Sequence, residues 1–106
     1  MQIQVNTDRN ISGQVALSQS VEETLTRVLA RFATRITRLE VHLSDENSTS
    51  KPGVVDKRCL LEARLSGRKP TSVSDSALSV EKAVTGAAQK MVSLLESELG
   101  KLGDWT

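Results

Sequence analysis

A change of hydrophobic period in the N-terminal half of the chain limits what it can fold into. Over residues 17–32, apolar side chains recur every three or four positions, which is the spacing of one buried face of an α-helix. Over residues 39–43, they recur at every second position, which is typical of a strand with one buried side. The sequence therefore predicts a helix of about six turns that reaches Thr34 and leads directly into a strand over residues 37–44.

Two more strands follow in the middle of the chain, after a stretch of turn-forming residues at 45–53 that predicts a loop. Residues 55–66 alternate, with Cys59 and Leu61 on the apolar side and Leu60 on the other. A turn at 67–69 leads to a weakly apolar strand over residues 70–75, which begins with a proline and therefore suits a sheet edge.

The two ends of the chain complete the predicted elements. Residues 1–6 alternate apolar and polar side chains and predict a short strand, and Asn10 and Ser12 are candidate caps for the first helix. Residues 77–99 keep helical spacing and predict a second helix, followed by a tail at about 100–106. Gly86 lies beside small residues within this helix, which suggests a close approach to the first helix or to the sheet.

The predicted order is β-α-β-β-β-α, which indicates an α+β protein with one domain over residues 1–106. Parallel pairing of the first two strands requires a right-handed crossover, and both helices then cover the same face of the sheet. We therefore predict a two-layer sandwich with a four-stranded mixed sheet whose other face is partly open.

Composition excludes several classes of function. No long apolar run or secretory signal is present, and the single cysteine cannot form an internal disulfide, so we expect a cytoplasmic protein with no membrane partner. The chain has one Phe, one Trp and no Tyr, so it has few aromatic side chains on which nucleic-acid bases could stack.

The basic residues are concentrated in two blocks, although the formal net charge is only +1. The first block, residues 27–38, has four arginines and no acid, and Arg27, Arg31 and Arg35 within it are at helical spacing. This spacing can follow a phosphate backbone, but by itself it is more often found on a solvated helix face. The second block, residues 51–69, has six cations against two acids. Arg64, Arg68 and Lys69 in this block lie at the predicted hairpin, and Lys82 is expected nearby. These four are either a further RNA contact or a charged protection of the sheet edge.

No catalytic or metal-binding constellation is predicted. Cys59 alternates with the inward apolar residues and His42 with the outward polar ones, so they should lie on opposite faces of the sheet and form no dyad. One histidine and one cysteine also cannot complete a tetrahedral metal site, and no phosphate-binding glycine string occurs. We therefore expect no enzyme activity, no catalytic residues, no metal, no cofactor and no small-molecule substrate.

Three stretches carry a resemblance to a known family, namely MQIQV, ALSQSVEETLTRVLARF and RITRLEVHLSDE, and the turn at residues 64–67 also fits. The chain resembles the short ribosome hibernation factors, known as hibernation-promoting factor, ribosome-associated inhibitor or sigma-54 modulation protein. The resemblance implies a fold similar to double-stranded-RNA-binding folds and a protein that is monomeric off the ribosome. Long members add a C-terminal dimerisation domain, which we do not expect in this chain.

The resemblance also implies a function. Members of this family bind the small ribosomal subunit between head and body, occlude the mRNA and tRNA sites, and silence translation in stationary phase or stress. Basic residues on both helices contact rRNA, and Arg27 and Lys90 fall at matching positions. The second helix departs from the family pattern because Glu81, Glu96 and Glu98 occur where members are richer in lysine and arginine.

Two hypotheses follow. The first is a non-enzymatic, rRNA-binding ribosome factor whose RNA-binding residues are Arg27, Arg31, Arg35, Arg64, Arg68, Lys69, Lys82 and Lys90. The alternative is a protein–protein interaction module of the same fold that has lost ribosome binding and docks a partner on its open sheet face or edge strand. The near-neutral charge and the acidic second helix favour this alternative.

Overall fold

The predicted order of elements is confirmed in a computed structural model that describes residues 1–8, 14–45 and 55–101. The elements are strand β1 (Gln2–Thr7), helix α1 (Gln14–Val28), a one-turn 3₁₀ helix (Ala30–Phe32), β2 (Ile36–Asp45), β3 (Lys57–Leu65), β4 (Thr71–Ala77) and helix α2 (Val80–Lys101). The candidate caps Asn10 and Ser12 and most of the predicted 45–53 loop lie outside the described residues.

The first helix is shorter than the prediction. Its α-helical part ends at Val28, and the chain then tightens into the 3₁₀ turn, in which the Phe32 amide donates to the Leu29 carbonyl at 2.9 Å. The Phe32 side chain is fully buried. The tighter winding places this large ring in the core without a further α-helical turn, so apolar spacing alone could not locate the end of the helix.

The second helix also differs at both ends. Ser79 caps its N-terminus by accepting a hydrogen bond from the Lys82 amide on its Oγ at 3.2 Å, which places the start three residues after the predicted one. At the other end the helix continues through Gly100 to Lys101, beyond the predicted start of the tail.

The four strands lie in the order β1-β2-β3-β4. Strands β1 and β2 are parallel, with Ile3 opposite Leu39 and Val5 opposite Val41, and α1 is the crossover between them. The other two pairings are antiparallel. The predicted mixed sheet is therefore confirmed, and β4 is an edge strand as expected.

The core lies between one face of the sheet and both helices. Five large side chains there have no exposed surface: Leu25 of α1, Leu29 just after it, Leu61 of β3, and Met91 and Leu95 of α2. Cross-strand pairing puts the polar residues of β2 and β3 on the opposite face of the sheet. This arrangement is the predicted two-layer α+β sandwich with both helices on one face.

Gly86 lies where α2 packs on the edge strand β4, so the predicted close approach is to the sheet. A Cβ at this position would lie 2.7 Å from Asp75 Cγ and closer still to its carboxylate oxygen. The same carboxylate accepts a hydrogen bond from Lys90 at 3.0 Å, so it cannot move away without breaking that contact.

No helix in the described part of the chain is long and apolar enough to cross a lipid bilayer.

We expect Gly86→Val to lower the free energy of unfolding by about 1–3 kcal/mol, because the added side chain overlaps Asp75. Urea denaturation measures this change. Asp75→Ala in the same background should restore part of the loss, since it removes the overlapping carboxylate. Additive effects of the two substitutions would contradict this explanation.

Candidate nucleic-acid interface

Two basic segments that are distant in sequence meet at one end of the sheet, where β2 begins and β3 ends. Backbone and side-chain hydrogen bonds join them: the Ser66 amide donates to the Arg35 carbonyl at 3.2 Å, and Thr37 Oγ1 donates to the Arg64 carbonyl at 3.0 Å. We call this region the basic end and define it by the side chains of Arg31, Arg35, Arg64, Arg68 and Lys69.

Arg31 extends from the 3₁₀ turn towards the C-terminal part of α2. Its Nη1 lies 3.1 Å from Glu96 Oε1, and its guanidinium lies 5.2 Å from the centre of the Phe32 ring. The two charged side chains are 56% and 44% exposed. An ion pair this accessible to water contributes about 0–1 kcal/mol to stability, so it can exchange for another anion at little cost.

Arg68 lies on the β3–β4 turn, which Gly67 closes with a φ of 71°. Its Nη2 is 3.6 Å from Glu98 Oε2, beyond hydrogen-bonding distance, and its Nη1 is buried without a hydrogen-bond partner among the described residues. The guanidinium therefore forms an ion pair with Glu98 but leaves donors unsatisfied.

The other members of the basic end differ in their contacts. Arg64 is exposed on the outer face of β3, with Nε 3.6 Å from Glu62 Oε1. Lys69 is exposed in the turn, and no ion pair involves it within the described residues. Arg35 is half-buried next to the start of β2.

Arg27 lies in the last turn of α1, just before the basic end, and its side chain is exposed. It borders a shallow depression that is also lined by Glu22 and Glu23. A cation near a helix C-terminus interacts favourably with the helix dipole, so Arg27 is stabilised locally as well as available to an anion.

The sequence predicted that Arg27, Arg31 and Arg35 would form one straight helical flank, and this geometry is wrong. Arg27 belongs to α1, Arg31 to the 3₁₀ turn and Arg35 to the connection before β2. The cause is the tightening of the chain after Val28, which ends the α-helical spacing.

The expectation that Lys82 lies near the β3–β4 turn is also wrong. Lys82 is in the first turn of α2, whereas the contact between Arg68 and Glu98 places the end of α2 next to that turn. These ends of α2 are about 24 Å apart along the helix axis. The helix runs antiparallel to β4, and residue spacing could not indicate this direction.

Lys90 projects from the middle of α2 onto the edge strand. Its Nζ donates to the Ser74 carbonyl at 2.9 Å and to Asp75 Oδ1 at 3.0 Å. A lysine along an exposed strand hinders pairing with a strand of another molecule. In the free protein Lys90 therefore has a structural contact at a position where the resemblance implies an RNA contact.

Cys59 and His42 lie on opposite faces of the sheet, as predicted. Cys59 has no exposed surface, and burial, with a smaller contribution from Asp75, raises the pKa of its thiol from the ordinary value of 9.0 to about 12. His42 is exposed on the outer face. No group of three His, Cys, Asp or Glu residues close enough to hold a metal ion occurs within residues 1–8, 14–45 and 55–101.

Sequence reasoning missed the pairing of the two α2 carboxylates with Arg31 and Arg68, because residues so distant in sequence carry no local signal. It also missed an acidic cluster at the opposite end of the sheet, where Lys57 Nζ lies 2.8 Å from the buried Asp56 and 3.3 Å from Asp45. The hydrogen bond with Asp56 raises the pKa of Lys57.

We expect Cys59 to react with a thiol reagent such as DTNB at pH 8 about 1,000-fold more slowly in the folded than in the unfolded protein, because its raised pKa suppresses the thiolate. Absorbance in buffer and in urea measures the two rates. The folded chain also keeps this proton to higher pH, so its contribution to the free energy of unfolding should decline between about pH 9 and pH 12. Equal reaction rates would contradict the buried position.

Comparison with known proteins finds a matching family model and similar solved structures. The model of the family described as sigma 54 modulation protein / S30EA ribosomal protein matches residues 4–102. The N-terminal domain of Protein Y from Thermus thermophilus is 19% identical, with a TM-score of 0.69 over 92% of this chain and 98% of that one. A ribosomal subunit interface protein from Coxiella burnetii is 17% identical, with a TM-score of 0.75 over 94% and 99% of the two chains. No curated protein matches.

These results agree with one another on the fold. At such low identities the two solved structures establish a shared architecture, and the likeness to double-stranded-RNA-binding folds stays a prediction. The family model covers nearly the whole chain, including both helices, strands β2 to β4 and most of β1. The chain therefore belongs to the sigma 54 modulation protein / S30EA ribosomal protein family, the hibernation-factor family that its sequence resembles.

Proposed function

We propose that this protein binds the small ribosomal subunit through rRNA phosphates and inhibits translation by occluding the mRNA and tRNA sites in stationary phase or stress. Family membership supports a ribosome-associated factor. The observation that carries the finer proposal is the convergence of four arginines and one lysine, the members of the basic end, from separate parts of the chain.

The chemistry of these side chains fits an RNA backbone. Arginine presents a planar set of donors that can bind two phosphate oxygens at once, and it keeps its charge at any physiological pH. The single Phe is buried in the core and offers no stacking surface. We therefore infer that binding depends on phosphates rather than on base identity.

The remaining predicted residues extend this surface along the helices. Arg27 lies one turn before the basic end on α1. Lys82 and Lys90 are eight residues apart on α2, which puts them on the same side of that helix. Lys90 would exchange its contact with Asp75 for a phosphate on binding.

Occlusion requires a folded domain of the right shape and no reactive group. The core formed by the sheet and both helices keeps the domain rigid, because close-packed interiors resist deformation. In this mechanism the bound domain fills space that mRNA and tRNA would occupy.

We expect the protein to co-sediment with purified small ribosomal subunits and to lose affinity steeply with salt. Five phosphate contacts would weaken binding about 100- to 500-fold between about 50 and 200 mM salt, because each contact releases counterions. Pelleting assays across this range measure the slope. Absence of pelleting at low salt, or a flat salt dependence, would contradict the proposal.

Charge reversal on β3 gives a matched test of position. We expect Arg64→Glu, at the basic end, to weaken subunit binding about tenfold, since it removes a phosphate contact and adds repulsion. Arg58→Glu is the control, because Arg58 is also exposed on β3 and faces the same side, but lies at the other end of the strand. Equal losses in both variants would indicate a general charge effect and not a site.

An interaction module of the same fold is the second candidate. It is favoured by Leu60, an apolar side chain on the outer face of the sheet, where its cross-strand neighbours are His42 and Ser74. A protein partner whose binding is lost in Leu60→Glu and retained in Arg64→Glu would support this candidate over rRNA binding.

A further inference from the structure

We propose that Glu96 and Glu98 on α2 set the RNA affinity of the basic end by competing with phosphates for Arg31 and Arg68. The inference rests on the proposed RNA binding and goes beyond it, because it assigns a role to two acidic residues. In the free protein these carboxylates occupy the guanidinium groups, and an RNA backbone must displace both of them.

The contact between Arg31 and Glu96 is close enough to compete and weak enough to be displaced. At 3.1 Å it is the shorter of the two ion pairs that α2 makes with the basic end, yet both side chains are about half exposed. The Phe32 ring beside the guanidinium belongs to the core and has no exposed surface. Exchange of Glu96 for a phosphate therefore needs no change in the core.

The contact between Arg68 and Glu98 is poorer, which favours a phosphate more strongly. At 3.6 Å it is an ion pair without a hydrogen bond, and Arg68 Nη1 has no partner among the described residues. A phosphate oxygen on a rotated Arg68 could accept from both donors, which the Glu98 carboxylate does not do in this geometry.

The position of the two acids indicates that they do not serve the stability of α2. They lie in its last two turns, where the negative end of the helix dipole disfavours carboxylates. Their replacement by glutamine should therefore leave the helix folded. Glutamine also has nearly the size of glutamate, so little burial is lost.

This competition also affects specificity. A polyanion that reaches only one arginine gains one contact while the other arginine stays paired. A ligand that presents two phosphates at the right separation displaces both carboxylates together. The basic end should therefore favour a structured RNA backbone over scattered negative charge.

The experiment compares wild type with Glu96→Gln/Glu98→Gln on two ligands, a synthetic RNA duplex and purified small ribosomal subunits. We expect the variant to bind the duplex about three- to tenfold more tightly at low salt. The gain should shrink as salt rises, because screening weakens the intramolecular pairs. Fluorescence anisotropy measures duplex affinity, and circular dichroism checks the fold.

The control is Glu22→Gln/Glu81→Gln, which changes the net charge equally. Both carboxylates are exposed on the helices, and neither makes an ion pair within the described residues. We expect its duplex affinity to stay within about twofold of wild type at physiological salt. Adding Arg31→Gln/Arg68→Gln to the Glu96→Gln/Glu98→Gln variant should abolish the gain.

The outcomes separate this inference from the proposed function. An equal gain in the control variant, or no gain in Glu96→Gln/Glu98→Gln on the duplex, would overturn the competition. A gain on the duplex without pelleting of either protein on small subunits would support the competition and remove the proposed ribosomal partner.

Discussion

Burial of the inner face of β2 is the constraint on which the rest of the structure depends. This strand pairs with β1 on one side and with β3 on the other, and Leu39 and Val41 have no exposed surface. Side chains alternate along a strand, so a shift of one residue would move these two to solvent and bring His42 into the core. The register is therefore strongly determined, and with it the position of every residue joined to the start of β2.

The basic end is a consequence of that register. The hydrogen bond from the Ser66 amide to the Arg35 carbonyl exists because β3 ends beside the start of β2. The 3₁₀ turn brings Arg31 to the same end, and the antiparallel course of α2 over β4 brings Glu96 and Glu98 opposite the arginines. The fold thus concentrates positive charge at the basic end and places there the carboxylates of Glu96 and Glu98, which partly neutralise it.

Local patterns predicted the elements well and their ends less well. Alternation identified the faces of β2 and β3, including the burial of Cys59, because strand periodicity depends only on neighbouring residues. The predicted end of α1 was wrong, because the chain buries Phe32 through a 3₁₀ turn at a place where apolar spacing alone would continue the α-helix. The predicted start of α2 lay before Ser79, because the apolar spacing begins at residue 77. The Ser79 side chain caps the helix and fixes its start at Val80.

The order of residues alone was sufficient for the β-α-β-β-β-α order, the inward faces of β1, β2 and β3, the edge position of β4 and the close approach at Gly86. Each of these follows from periodicity or from the backbone properties of proline and glycine. The partners of the charged residues could not be predicted from the sequence in this way. Arg31 pairs with Glu96 and Lys90 with Asp75 because the helices pack on the sheet in particular directions. The same packing keeps Lys82, in the first turn of α2, away from the basic end. Such long-range packing is not encoded in the spacing of neighbouring residues.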